Sequence, residues 1–468
     1  MTSSRPARAS SRSGKGGASR VRRRALRVLL QVARGRRLDR ALADAMPGLR
    51  DEERRQLQNA TYGTVRARGR LDARLAPLLN RPLDSLDPEV REALRLGAHE
   101  ILEAEGTPPY AAVSEAVALV REGGGKGGAG LVNAVLRRLV RSEAPPSPSD
   151  PEERLSTEGS HPRWLVRRWL ARYGAAETER IVRAGNQRPS LFLRPLGVSS
   201  SRLVERLRER GIEARPVAVS PLVELPPGTS PTRALEAAPA QVQDPAASLV
   251  ADFVAPPPHS VVADLCAAPG GKALALAASG RPRRVLAADL APARLRLVAE
   301  GARRTGIPLS LVVSRAEAPP IRGVDVVLLD VPCSGTGTLA RHPDARWRLT
   351  PEDPGRMAEL QGRMLDAAAD AVGPGGLVVY ATCSLEPEEN EGVVEAFLER
   401  RRDVRPEEPP AGAFPLDDTE LEGVDRNETG RLRVLPRAGC QDGAFAVRLR
   451  KEGPRGPEGG METQREGW

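Results

Sequence analysis

From Ala246 to the end of the chain's last apolar run, short strand-like segments alternate with helical ones: "SVVADL", "GGKALALAAS", "RRVLAADL", "ARLRLVAEGARRTG", "LSLVV", "VDVVLLD", "RMLDAAADAV" and "GLVVYATCS". Runs that are apolar throughout, rather than on alternate residues, suit strands covered on both faces. Helices between such strands are what a parallel sheet needs to return the chain. The rhythm therefore predicts a Rossmann-like α/β domain over 246–451. The segment "RAGCQDGAFAVRLR" is expected to add a final strand closing the sheet, with Cys440 structural.

The preceding chain differs in kind. Between Val21 and Arg141, "ALRVLLQVA", "EERRQLQNATYGTVRARGRLDARLAPLL", "DPEVREALRLGAHEILEA", "AAVSEAVALVRE" and "GLVNAVLRRLVR" place apolar residues at helical spacing, which predicts an all-α domain over 21–141. Asp87 ahead of Pro88 reads as a helix cap, and Gly123 to Gly130 as a turn. "SEAPPSPSDPEE" predicts a linker over 142–160. Residues 161–245 read as a small α/β subdomain that opens with "HPRWLVRRWLARYG", a helix carrying Trp164 and Trp169. Residues 1–20, rich in Ser, Gly and Arg without an acid, and the polar 452–468 read as disordered tails, the first of them able to help hold phosphates.

A chain of 468 residues with 71 Lys and Arg against 61 Asp and Glu, a net charge of +10, favours a polyanionic partner. No apolar run reaches bilayer length, so nucleic acid is expected rather than a membrane. Aromatics make up 3%, which points to recognition by charge rather than by stacking on aromatic platforms. The four cysteines form no CxxC pair and have no His at ligand spacing, so neither a metal site nor a disulfide framework is expected, only free thiols in a reducing cytoplasm. His99, His161, His259 and His342 are scattered, with core or surface roles as the default.

Within the α/β domain, "VVADLCAAPGGKALALA" combines a strand, a small-residue turn and a helix start, where backbone can approach a ligand at Gly270 and Gly271. Asp289 ends the next strand, where an acid accepts from ribose hydroxyls in nucleotide-binding sheets. "LLDVPCSGTG" delivers Asp330 and Cys333 to one edge of the sheet, with Pro332 stiffening the turn between them, and "VVYATCSLEPEEN" delivers Cys383. Taken singly, each cysteine reads as a small buried hydrophobe. Two thiols at two strand ends instead suit chemistry on a pyrimidine. Thiolate addition to carbon 6 makes carbon 5 of cytosine nucleophilic, a second group must help release the adduct, and an acid must hold the base while charge builds.

"DLCAAPGGK", "DVPCSGTG", "RHPDARWR" and "YATCSLEPEEN" resemble the motifs of the RNA cytosine-5 methyltransferase family, in particular its Sun/Fmu branch, and the resemblance runs over nearly the whole chain. "AAVSEAVALVRE" and "GLVNAVLRRLVR" are similar to the NusB-like domain at the front of that branch, while "NQRPSLFLRP" and "VQDPAASLVADFV" resemble its middle segment. The resemblance implies a class I methyltransferase fold using S-adenosylmethionine without a metal. It implies Cys383 as nucleophile, Cys333 as the thiol assisting product release, and Asp330 between donor and base. Cys266, Ala267, Ala268, Pro269, Gly270, Gly271, Lys272 and Asp289, with Asp330, match the donor-binding positions. The implied partner is small-subunit ribosomal RNA before full assembly, met in the cytoplasm by a monomer.

Departures stand beside the matches. "VVSRAEAPP" puts Arg315 or Ala316 where relatives carry an acid near the donor's adenine, with Glu317 able to substitute only if the loop shifts, and Ala273 replaces a Thr. Lys272 can serve donor, RNA or only solvent. Arg341, His342, Arg346 and Arg348 are expected to grip RNA phosphates. Two rival readings stay open: the same chemistry on another RNA such as transfer RNA, and a non-catalytic RNA-binding or assembly factor.

Overall fold

The computed structural model describes residues 18–104, 106–123, 126–217, 221–410, 422–427 and 430–453. The expected tails therefore lie largely outside the described residues. Ala18 to Arg20, assigned above to the N-terminal tail, are ordered. Ala18 N–H donates to Glu122 at 2.8 Å, Ser19 N–H donates to Glu115 at 2.7 Å, and the Ser19 hydroxyl caps the first helix. An acid-free stretch reads as a tail only while its acidic partners, far along the chain, are out of view.

The described residues of 1–186, together with His342–Arg348, form one compact unit. It contains α1 (Arg20–Ala33), α2 (Leu38–Ala45), α3 (Asp51–Arg66), α4 (Arg68–Leu75), α5 (Pro88–Leu102), α6 (Pro109–Glu122), α7 (Lys126–Arg141), α8 (Pro151–Thr157) and α9 (Arg163–Asn186). Leu, Val and Ala make up its core, and Asp87 caps α5 by accepting from Glu89 N–H, with Pro88 in the first turn. The stretch expected as linker contains α8, because Asp150 caps it and Leu155 is buried. Helix α9, kinked at Gly174, also belongs here rather than with the small sheet: Glu152 of α8 holds Arg163 and Arg167.

His342–Arg348 overturns an expectation. Arg346 is fully buried and donates to the carbonyls of Ser160 (3.0 Å) and Gly185 (2.7 Å) and to Asn186 Oδ1 (2.8 Å). Trp347 donates its indole N–H to Val65 O at 2.8 Å and packs on the helical core. Arg348 pairs with buried Asp344 at 3.1 Å. In the second unit Arg341 is divided between Asp244 (2.6 Å) and Asp442 (2.7 Å). Carbonyl, amide and carboxylate oxygens of the chain itself hold Arg341, Arg346 and Arg348; sequence spacing shows cations but not their partners.

The second unit comprises the described residues of 187–341 and 349–468. Its first part holds β1 (Leu191–Pro195), α10 (Ser200–Glu209), β2 (Arg215–Pro216), β3 (Val223–Leu225), α11 (Pro231–Ala237) and β4 (Ala240–Val242). The strands form an antiparallel sheet of order β2-β3-β1-β4 around Leu193, Leu203, Leu207 and Val223. There follow α12 (Pro245–Val254), β5 (Val261–Asp264), α13 (Gly271–Ala278), β6 (Arg284–Asp289), α14 (Pro292–Thr305), β7 (Ser310–Val313) and β8 (Val324–Asp330). After the short α15 (Ala345–Arg348) come α16 (Asp353–Ala371), β9 (Val372–Thr382), α17 (Glu391–Arg400), β10 (Val404–Pro406), β11 (Val424–Asn427), β12 (Arg431–Val434) and β13 (Ala444–Lys451).

The large sheet runs β11-β12-β13-β9-β8-β5-β6-β7, with β10 also on β13; β9-β8-β5-β6-β7 are parallel and the rest antiparallel. This is the Rossmann-like α/β domain expected. Val326 to Leu329 of β8 are wholly buried, as a strand covered on both faces requires. The last strand does not close the sheet. β13 lies inside it, between β9 and β12, with both of its hydrogen-bonding edges paired. Among the described residues no helix is long and apolar enough to cross a membrane, and no cluster of His, Cys, Asp and Glu is arranged to hold a metal.

Candidate active site

Parallel strands end together, so β5, β6, β8 and β9 bring Asp264, Asp289, Asp330 and the residue after Thr382 to one edge of the sheet. The turn after β5 runs close beneath this edge. Ala267 N–H pairs with Ala288 O at 2.9 Å, and Asp289, itself buried, accepts from Ala268 N–H (3.2 Å) and Ala291 N–H (3.0 Å). Gly270 sits at φ +111°, where a side chain would be strained, and a Cβ there would also crowd Val298 at 3.2 Å. Gly270 caps α13 without a side chain, leaving the first N–H groups of that helix facing an open turn. Both amide atoms of buried Gln243 lack a hydrogen-bond partner, and its Nε2 lies 3.5 Å from where a Cβ of Gly271 would stand. A Gly cradle, free helix N–H groups and an unsatisfied amide fit a ligand with a carboxylate and hydroxyls, as the expected donor has.

Lys272, in the first turn of α13, donates to Asp330 Oδ2 at 2.7 Å. Burial would lower the Lys272 pKa, but Asp330 beside it holds the ammonium above its ordinary value. Lys272 is thus paired, not solvated. Asp264, the last residue of β5, is 1% exposed, and burial followed by the Asp330 charge pushes its pKa up to about 7. The unfolded carboxyl ionises near 4, so between these values the folded state retains a proton that the unfolded state has lost. The contribution of Asp264 to stability therefore falls as pH rises from about 4 to 7, by on the order of 4 kcal/mol. Asp264→Asn should escape that loss. In the ligand-free protein its advantage in melting temperature is expected to grow from pH 4 to 7 and level off above, and a pH-independent difference between the two proteins would refute the assignment.

Cys266 is half-buried and burial raises its thiol well above the ordinary range, leaving its backbone as the part available to a ligand. The other two expected thiols do meet. Cys333 Sγ and Cys383 Sγ stand 3.2 Å apart, both half-buried, one in the turn after β8 and one directly after β9. The Cys383 sulfur, then burial, and also the buried Glu389 push the Cys333 thiol up, so it keeps its proton near neutral pH. The contact between the two turns is close: Gly337 N–H donates to Cys383 O at 3.0 Å, and a Cβ on Gly337 would stand 2.7 Å from that carbonyl.

The loop after β7 departs as its sequence does. Arg315 is exposed, Ala316 is buried in the core and Glu317 is half-buried. Sequence reading also missed residues behind the thiols. Ser334, Ser384, Gln361 and Glu389 form a buried polar group. A signal was present, since both cysteines are followed by Ser, but nothing local in "EPEEN" ties Glu389 to them.

Comparison with known proteins matches each part of the chain. The family model described as 16S rRNA methyltransferase RsmB/F matches residues 251–450, the NusB family model residues 19–141, and an RsmF/B-like ferredoxin-like domain residues 161–223. A ribosomal RNA small subunit methyltransferase B of Thermus thermophilus is 40% identical, the match covering 91% of this chain and 96% of that one. A probable counterpart from Synechocystis is 35% identical over 88% and 94%. The crystal structure of the protein PH0851 superposes with a TM-score of 0.73 at 25% identity, covering 92% of this chain and 99% of that one.

Proposed function

Because the chain belongs to the RsmB/F family of 16S rRNA methyltransferases, we propose that it methylates carbon 5 of a cytosine in small-subunit ribosomal RNA through a covalent Cys383 adduct. The observation that supports this reading most directly is the pair of thiols 3.2 Å apart, at the sheet edge that also carries Lys272 and Asp330. S-adenosylmethionine, when bound, supplies an electrophilic methyl group, and the cradle of Cys266 to Lys272 with Asp289 is where this chain would hold it.

Cys383 adds its sulfur to carbon 6 of a base flipped from its stack. Electron density then moves into the ring, and the Lys272 ammonium, fixed by Asp330, offers a preorganised positive charge to receive it. That density makes carbon 5 the nucleophile toward the methyl group. Once carbon 5 is methylated, its proton and the Cys383 thiolate must leave. Cys333, which retains its proton, donates it to the departing sulfur; the Cys333 thiolate so formed takes the carbon 5 proton, and the proton left on Cys383 passes to water before the next addition.

The test is transfer of tritium from labelled S-adenosylmethionine into small-subunit ribosomal RNA taken from cells lacking the modification. Digestion to nucleosides should return the label as 5-methylcytidine. Label in another nucleoside, or label in transfer RNA alone, would overturn the reading.

A further inference from the structure

We infer that Glu389 is a positioning residue for both thiols, one carboxylate that grips the residues following Cys333 and Cys383 and so fixes the separation of the two sulfurs. Glu389 is wholly buried. Its Oε1 accepts from Ser334 N–H at 2.8 Å and from Gln361 Nε2 at 3.1 Å. Its Oε2 accepts from the Ser334 and Ser384 hydroxyls, each at 2.5 Å. Ser334 and Ser384 are the immediate successors of the two cysteines, and their hydroxyls also lie 3.1 Å from each other. The grip extends to the other side of Cys333, where Gln361 of α16 donates to Pro332 O at 3.0 Å. Tyr380 in turn donates to Gln361 Oε1 at 3.2 Å and to Glu389 O at 2.6 Å, which fixes the clamp to β9.

Burying a carboxylate is costly, and a fold in need only of stability is served as well by apolar side chains of similar volume. What four donors converging on two oxygens supply is geometry. Two loops from different strands are held to one centre, so neither turn can shift without breaking charge-assisted hydrogen bonds. The same carboxylate adds to the rise of the Cys333 thiol, behind the Cys383 sulfur and burial. Glu389 acts through Ser334 and Ser384, the residues that follow the two thiols.

The catalytic consequence rests on the covalent reading proposed above, whereas the spacing of the sulfurs can be read without any methyl transfer. The full-length protein is treated with diamide, which takes two electrons and two protons from two thiols, forming one disulfide and becoming the hydrazine. Peptide mapping then follows the Cys333–Cys383 bridge over time. Wild type should bridge readily.

Glu389→Gln places an NH2 group among donors. It is expected to bridge about tenfold more slowly and to lose about 10- to 100-fold in kcat, with KM for donor and RNA held within about twofold and donor binding and melting close to wild type. The double variant Ser334→Ala/Ser384→Ala removes the hydroxyl donors without burying an amide, and the same pattern is expected of it. Wild-type bridging rates in both variants would overturn the proposal. So would a loss of donor binding and melting temperature in proportion to the loss of kcat, because Glu389 would then be a stability residue. If wild type bridges readily but transfers no methyl group, the covalent reading falls while the clamp stands.

Discussion

Cys383→Ala is expected to lower methyl transfer by about 10⁴-fold or more while leaving RNA and donor binding within about twofold. The effect is large because the sulfur is not an auxiliary group. Carbon 5 of cytosine has little nucleophilicity until a thiolate occupies carbon 6, so without the sulfur the methyl acceptor does not exist. A loss of that size corresponds to about 5 kcal/mol or more of transition-state stabilisation. The fold should tolerate the change, since Cys383 is half-buried at the end of β9 and its carbonyl bond to Gly337 N–H does not involve the side chain. Filter binding of RNA, donor titration and tritium transfer, done on one preparation, separate the arms. Turnover within about tenfold of wild type would eliminate Cys383 as the nucleophile. A fall in RNA binding parallel to turnover would show damage to the fold instead.

How far this site could be read from sequence depends on where each partner sits in the chain. Asp330, Cys333 and Cys383 were legible because apolar strands announce themselves and the residues just past their ends fall on one edge. The Gly270 turn was legible because few residues other than Gly suit such a turn and a helix follows directly. Asp87 was legible as a cap since cap and helix are adjacent. What failed was anything decided by contacts at long range. Arg346 looked like an RNA ligand because its partners, the carbonyls of Ser160 and Gly185, are remote in sequence and carry no side-chain signal. Glu389 went unread because its four donors arrive from three segments. β13 was expected to close the sheet and instead lies within it, since pairing order is a property of the sheet, not of the strand. α8 was hidden by the prolines and serines around it, although Asp150 and Pro151 are themselves a helix start.

Cys333→Ala should behave differently from Cys383→Ala, and the difference tests the division of labour between two sulfurs only 3.2 Å apart. In the variant the nucleophile remains, so addition to carbon 6 and methyl transfer can proceed. Release is what suffers, because the departing Cys383 thiolate no longer has an S–H beside it to share a proton. Alanine also removes a thiol whose proton is held firmly near neutral pH, so water at the half-buried site is the only substitute, and an ill-placed one. A covalent protein–RNA species should therefore accumulate and survive denaturing gel electrophoresis as a slow band carrying both labelled RNA and protein, with multiple turnover reduced by roughly 10²- to 10⁴-fold. The band should require the methyl donor if release after transfer is the blocked step. The double variant Cys333→Ala/Cys383→Ala should show no band under any condition, because the adduct needs the Cys383 sulfur. Free RNA alone from Cys333→Ala, at reduced turnover, would move Cys333 from release to an earlier step. An undiminished rate would leave it no part in the chemistry.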